Sequence, residues 1–265
     1  MNSTSARCLW AAKFNIWLCL IFAIVLNGSV SAATPENTSS SVSKNFDDAK
    51  NGHGSTRERA IAALANVSAR EEADYNISDE LLGIVAKTSD IFVRIVAIET
   101  LGKLQINVTK DDKALTKYRE PFMNILAKKD EPNMVKKAIV LVFGETLRKT
   151  RLMDKDRVYP EIVKLASHRG EDPVRLAAIG VIGNFGADDG INVLADVLNA
   201  QESRVREVAA KAIFHYLDSN SGVTIHPGAV NKLVEMLKDK DSYVRSSALR
   251  AIPSFIQANN TLATE

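Results

Sequence analysis

The side chains in this 265-residue chain that could do chemistry are four histidines, several closely spaced acid pairs, one glycine-rich run and a recurring arginine. His53, His168, His215 and His226 stand apart. None has a His or Glu three or four residues away on its own helix, the spacing that sets two metal ligands on one helical face. Asp154-x-Asp156, Asp188-Asp189 and Asp239-x-Asp241 have calcium-loop composition but lack the Gly at position 6 and Glu at position 12 of such a loop, so they read as helix-start charges. Gly180, Gly183 and Gly186 are spaced like a phosphate loop, yet the run closes a helix where a phosphate loop would open one after a strand. Close packing and capping are the expected roles. No Gly-x-Ser-x-Gly elbow occurs. The residues therefore predict no catalytic centre, no metal and no cofactor.

Charge narrows the choice of partner. The whole chain has 34 Lys and Arg against 32 Asp and Glu. Residues 1–32 contribute Arg7, Lys13 and no acid, leaving 32 basic and 32 acidic side chains in the remainder. A neutral chain has no bulk attraction for nucleic acid or an anionic membrane. Arg7 and Lys13 lead into IWLCLIFAIVL, Ile16 to Leu26, which is shorter than the roughly 20 apolar residues a membrane span needs. With Val30-Ser31-Ala32 behind it, the segment predicts a signal peptide cut between Ala32 and Ala33. The expectation is export to the periplasm or the medium with no stable membrane span retained. Cleavage would also remove Cys8 and Cys19, leaving neither disulfide nor thiol nucleophile. Residues 33–55, rich in Ser, Asn, Asp and Gly, show no apolar period and predict a flexible linker.

The elements that would position any site recur along the rest of the chain. In EDPVRLAAIGVIGNFG, Val174 is followed by Arg175 at +1, Ala178 at +4 and Ile182 at +8. Val93, Arg94, Ala97 and Leu101 repeat the pattern, with Gly102 placed like Gly183. Further copies begin at Val205 (Arg206, Ala209, Ile213) and Val244 (Arg245, Ala248, Ile252). Thr56, with Arg57, Ala60 and Leu64, opens a weaker copy, and so does Met134, with Ala138, Val142 and a basic residue displaced to Lys136. Between copies lie second amphipathic stretches such as SDELLGIVAK and HPGAVNKLVEMLKD. A helical unit recurring every 31 to 41 residues signals a solenoid of helix pairs.

A helix pair whose second helix opens on an acidic turn followed by Val-Arg-x-x-Ala resembles HEAT repeats, within the armadillo-like helical class. The resemblance covers about residues 56–258, and Asp172-Pro173-Val174-Arg175 carries it most clearly. It implies an all-α, right-handed α-solenoid of about six helix pairs, a HEAT-like domain over 56–265. It also implies that the first helix of each pair lines the convex surface and the second the concave one.

The repeated residues have physical reasons of their own. Ala97, Ala138, Ala178, Ala209 and Ala248 are small enough to let neighbouring helices approach. Arg94, Arg175, Arg206 and Arg245, each behind a turn acid, are expected to pair within their turn or with the next unit, and so to be structural. Residues 128–157 hold nine basic side chains against five acids, which makes Lys136 and Lys137 candidates for contact with an acidic partner. Asn-x-Ser/Thr sequons fall at Asn37, Asn66, Asn76, Asn107 and Asn259. A solenoid without catalytic residues predicts a scaffold for a protein or peptide ligand. The alternatives are a HEAT-like lyase of the phycobilin type, which needs His, Tyr and acids converging on one groove, and a purely structural envelope spacer.

Overall fold

A computed structural model describes residues 39–108, 113–150, 155–185, 190–219 and 227–262. The expected cleavage point at Ala32 and Ala33, like the whole of 1–38, lies outside them. Among the described residues every regular element is a helix, and no helix is long and apolar enough to cross a membrane.

In chain order the helices are α1 Ser39–Asn51, α2 Gly54–Ala63, α3 Ala69–Tyr75, α4 Ile77–Lys87, α5 Ile91–Val108, α6 Lys113–Ala127 and α7 Asn133–Thr150. They continue as α8 Lys155–Ser167, α9 Pro173–Phe185, α10 Gly190–Val197, α11 Ser203–Ser219, α12 Pro227–Met236 and α13 Ser242–Leu262. Six pairs result: α1/α2, α4/α5, α6/α7, α8/α9, α10/α11 and α12/α13. The short α3 is extra. Ser68 starts α3 with a reciprocal capping box to Glu71, and Asn76, at φ 50°, ends it and opens α4. The fold is an all-α solenoid in which each pair hides its apolar stripe against its neighbours.

Part of the expected linker is the first helix of the first pair. Residues 39–51 are helical, with Val42 and Ala49 buried and the Phe46 ring 5.5 Å from that of Tyr75. Val42, Phe46 and Ala49 recur at four and three residues, a one-sided stripe thin enough to be masked by its polar surroundings.

The Met134 copy shifts by one residue. Val135 is fully buried while Met134 is 37% exposed, so Val135 takes the origin and Lys136 the basic +1 position. Ile139, also fully buried, then stands at +4 where the other units carry Ala, and Ala138 sits one residue earlier. Ala97, Ala178, Ala209 and Ala248 are fully buried as expected.

The second helices α5, α7, α9, α11 and α13 pack closely on one another, whereas successive first helices touch sparingly. The closest approach is at +9. A Cβ on Gly102 would lie 2.7 Å from Val142, on Gly144 2.6 Å from Val181, and on Gly183 2.4 Å from the Ala212 carbonyl oxygen. Each contacted residue is at +7 of the next unit, which confirms the shifted origin at Val135. Gly186 lies outside the described residues, while Gly190 opens α10 in a buried position.

Two alanine substitutions on α9 should therefore differ in sign. At Gly183 the added methyl meets backbone, and Gly183→Ala should destabilise by about 1–3 kcal/mol through forced separation of α9 and α11. At Gly180 nothing lies within 4 Å, so Gly180→Ala should be neutral or stabilise by up to about 1 kcal/mol. Urea denaturation of the two variants measures both.

Candidate functional site

The recurring arginines do two jobs at once. Each turns back toward carbonyls at the end of the preceding first helix: Arg57 Nε donates to Ala49 O at 2.9 Å, Arg94 Nε to Val85 O at 2.9 Å and Arg175 Nε to Ala166 O at 3.1 Å. Arg206 donates to the carbonyls of Ala200 and Gln201, and Arg245 to those of Asp239 and Lys240. These carbonyls lack intrahelical donors, so a guanidinium supplies what the helix end leaves open. Lys136 does the same to Lys128 O. The candidate contact residue Lys136 thus fills the structural cation position of its unit, while Lys137 beside it is half-buried.

The second job reaches forward. Arg94 pairs with Glu131, Arg175 with Glu202 at 3.5 Å, and Arg206 with Asp239 through two bonds of 2.7 and 2.9 Å. All three carboxylates belong to the turn of the next unit. The acids just before Arg94, Arg175 and Arg245 cap helices instead. Asp90 accepts from the Phe92 and Val93 amides, Asp172 from those of Val174 and Arg175, and Asp241 from that of Tyr243. Of the acid pairs, Asp239 is thus an arginine partner and Asp241 a helix cap. Asp154, Asp188 and Asp189 lie outside the described residues.

What the second helices leave most open to solvent is a stripe at −1, +6 and +10. It includes Phe92 and Met134, in the same register on α5 and α7, and Leu141 two turns along from Met134. Phe92 is 54% exposed. Glu99 shares this stripe, and burial pushes its carboxyl above the ordinary range while Lys103, one turn on, pulls it back. Among the described residues this face also carries exposed cations, Lys103, Arg204, Lys211 and Arg250, of which Arg204 and Lys211 both pair with Glu207 on their own helix.

Among the described residues, the histidines stand apart from one another. Tyr216 is fully buried, and its neighbour His215 is exposed with its ring 5.3 Å from Phe214. His168 is exposed, His226 lies outside the described residues, and among those described no three His, Cys, Asp or Glu side chains group as metal ligands. Sequon residues Asn66, Asn76 and Asn107 are exposed, though Asn107 Nδ2 donates to Ala65 O at 2.9 Å; Asn37 lies outside the described residues and Asn259 is described in its backbone only.

Known proteins can be compared with this geometry. Residues 119–214 match the family profile of HEAT repeats. The matched residues run from the second half of α6 through most of α11, the stretch that holds Gly144, Gly183 and the Arg175–Glu202 clamp. No curated protein sequence matches the chain. Among solved structures, Kap121p bound to Nup53p shares 15% identity and a TM-score of 0.58 over 82% of this chain and 25% of that one. An engineered protein shares 18% identity and a TM-score of 0.50 over 80% and 97%. The complex of CpcE and CpcF of phycocyanin lyase from Nostoc sp. PCC7120 gives 22% identity and a TM-score of 0.48 over 84% and 79%, too low to bear on activity. These likenesses concern the fold.

The Arg206–Asp239 clamp gives a direct test. The Arg206 guanidinium holds the Asp239 carboxyl below its ordinary range, and both side chains are buried. Asp239→Asn should cost about 2–3 kcal/mol at neutral pH, since Arg206 loses its counter-charge but keeps two carbonyls. A carboxyl lowered in the folded state stabilises fully above its unfolded value and loses that contribution as pH falls through the folded one. The stability gap between wild type and variant should therefore close below about pH 4, as followed by thermal melts across pH.

Proposed function

We propose that the chain is a non-catalytic scaffold working outside the cytoplasm, with the exposed stripe of its second helices as the docking face for a protein or peptide. The observation that carries this reading is the exposure of Phe92, Met134 and Leu141 on two adjacent second helices of the array. Large apolar side chains left in solvent in adjacent units suit recognition more than stability. Lys137 stands on the same layer and adds a charge for an acidic partner. The likeness to Kap121p, solved bound to Nup53p, is a precedent in fold for a helical repeat array that holds another protein. Arg7, Lys13, the short apolar run and the Ala32–Ala33 junction support export as the route to that partner.

Two measurements test this. Fractionation of cells producing the full chain should place it in the extracytoplasmic fraction with Ala33 as its first residue; an uncut chain in the cytosol would contradict export. Affinity capture from that fraction should recover a protein with wild type and lose it with Phe92→Asp/Leu141→Asp, whose melting temperature should stay within a few degrees of wild type because both sites are exposed. Equal recovery by both forms would remove the second-helix stripe as the docking face.

A further inference from the structure

The two ends of the array differ. Among the described residues, the first pair turns Lys44, Asp47, Lys50 and Arg59 to solvent and exposes no large apolar side chain. The last pair exposes Val234, Tyr243 and Leu249.

Leu249 is at +5 of its unit. In the five preceding units that position is Ile61, Ile98, Val140, Ile179 and Ala210, all fully buried, while Leu249 is 62% exposed. Val234 repeats the register of Ala195: both follow a buried Leu, and the turns after them carry the same carbonyl-to-amide bonds. Ala195 is buried and Val234 is 48% exposed. Arg245 is the third member. It keeps its backward bonds to carbonyls, but unlike Arg94, Arg175 and Arg206 it pairs with no carboxylate among the described residues and is exposed. The last pair thus retains the donor half of an interface: an aliphatic at +5, an aliphatic on its first helix and a cation awaiting an acid.

We propose that this end face docks an amphipathic helix of another polypeptide with a carboxylate in the turn before it, its apolar side chains seated on Leu249 and Val234 and that carboxylate on Arg245. The chemistry follows from three of the five internal interfaces, those ahead of Arg94, Arg175 and Arg206, each of which brings a carboxylate to the arginine. A second copy fits poorly. The first pair carries Asn51, Gly52 and His53 where the later units place Glu131, Glu202 and Asp239 in the turn. Two copies of the last pair would oppose Lys238, Lys240, Arg245 and Arg250 with their own kind.

The probe is a synthetic peptide of residues 199–219, which carries Glu202 and α11, the segment that seats against Arg175 and α9 inside the array. Labelled at one end, it should bind the full chain saturably. Leu249→Asp should weaken binding by at least about tenfold, with the circular dichroism spectrum and melting temperature unchanged. Arg245→Glu should weaken it similarly, and a peptide with Glu202→Lys should recover affinity for that variant. Absence of saturable binding, or equal binding to Leu249→Asp, would overturn the proposal. So would a concentration-dependent dimer of the full chain alone that Leu249→Asp abolishes, since the face would then belong to a second copy.

Discussion

Backbone-to-backbone approach of successive second helices is the constraint on which the rest of this molecule depends. One helix pair is too small to bury its own apolar stripe, so each borrows cover from the next. The borrowing works only where the seam is thin: Gly102, Gly144 and Gly183 stand where a methyl group would strike the following helix. The fully buried alanines Ala97, Ala178, Ala209 and Ala248 one turn after their origins, and the buried aliphatics at +5 of the first five units, complete that seam. Stability is therefore local in origin and one-dimensional in arrangement, each interface resembling the last.

The arginine clamp fixes how the seam is aligned. A guanidinium has enough donors to satisfy carbonyls behind it and a carboxylate ahead of it, which a single ammonium matches less well. The unit with Lys136 shows the difference, for that lysine reaches back to Lys128 and no forward ion pair is found among the described residues. Because these cations are consumed in holding units together, the face they border is left to Phe92, Met134, Leu141 and charges of which Arg204 and Lys211 are paired with Glu207. That division underlies the reading of the second-helix layer as a surface for protein and not for polyanions.

Much of the fold was legible in the sequence, because the constraints repeat. Val-Arg-x-x-Ala announces itself wherever the same interface recurs, and Gly102 with Gly183 was visible as a matched pair. Three things were not legible. The helix at 39–51 has only Val42, Phe46 and Ala49 to mark it in a run dominated by Ser, Asn and Asp. The one-residue register shift at Val135 was hidden because Ala138 imitates the repeat's alanine, and burial at Ile139 is a tertiary fact. The forward partners Glu131, Glu202 and Asp239 lie 27 to 37 residues from their arginines, a pairing that only the stacked units bring together. Lys136 consequently looked available for binding when it is committed to structure. The exposed end at Leu249 needs the same knowledge, since the residue is unremarkable until its five buried counterparts are aligned with it.

Native-state hydrogen exchange measures the central claim most directly, because protection reports which helices open together and at what cost. If the second helices form the tightly packed spine, the central amides of α5, α7, α9 and α11 should exchange slowest and at similar rates, ahead of α4, α8 and α10. First helices as protected as the second, or more so, would contradict an array held together along that seam.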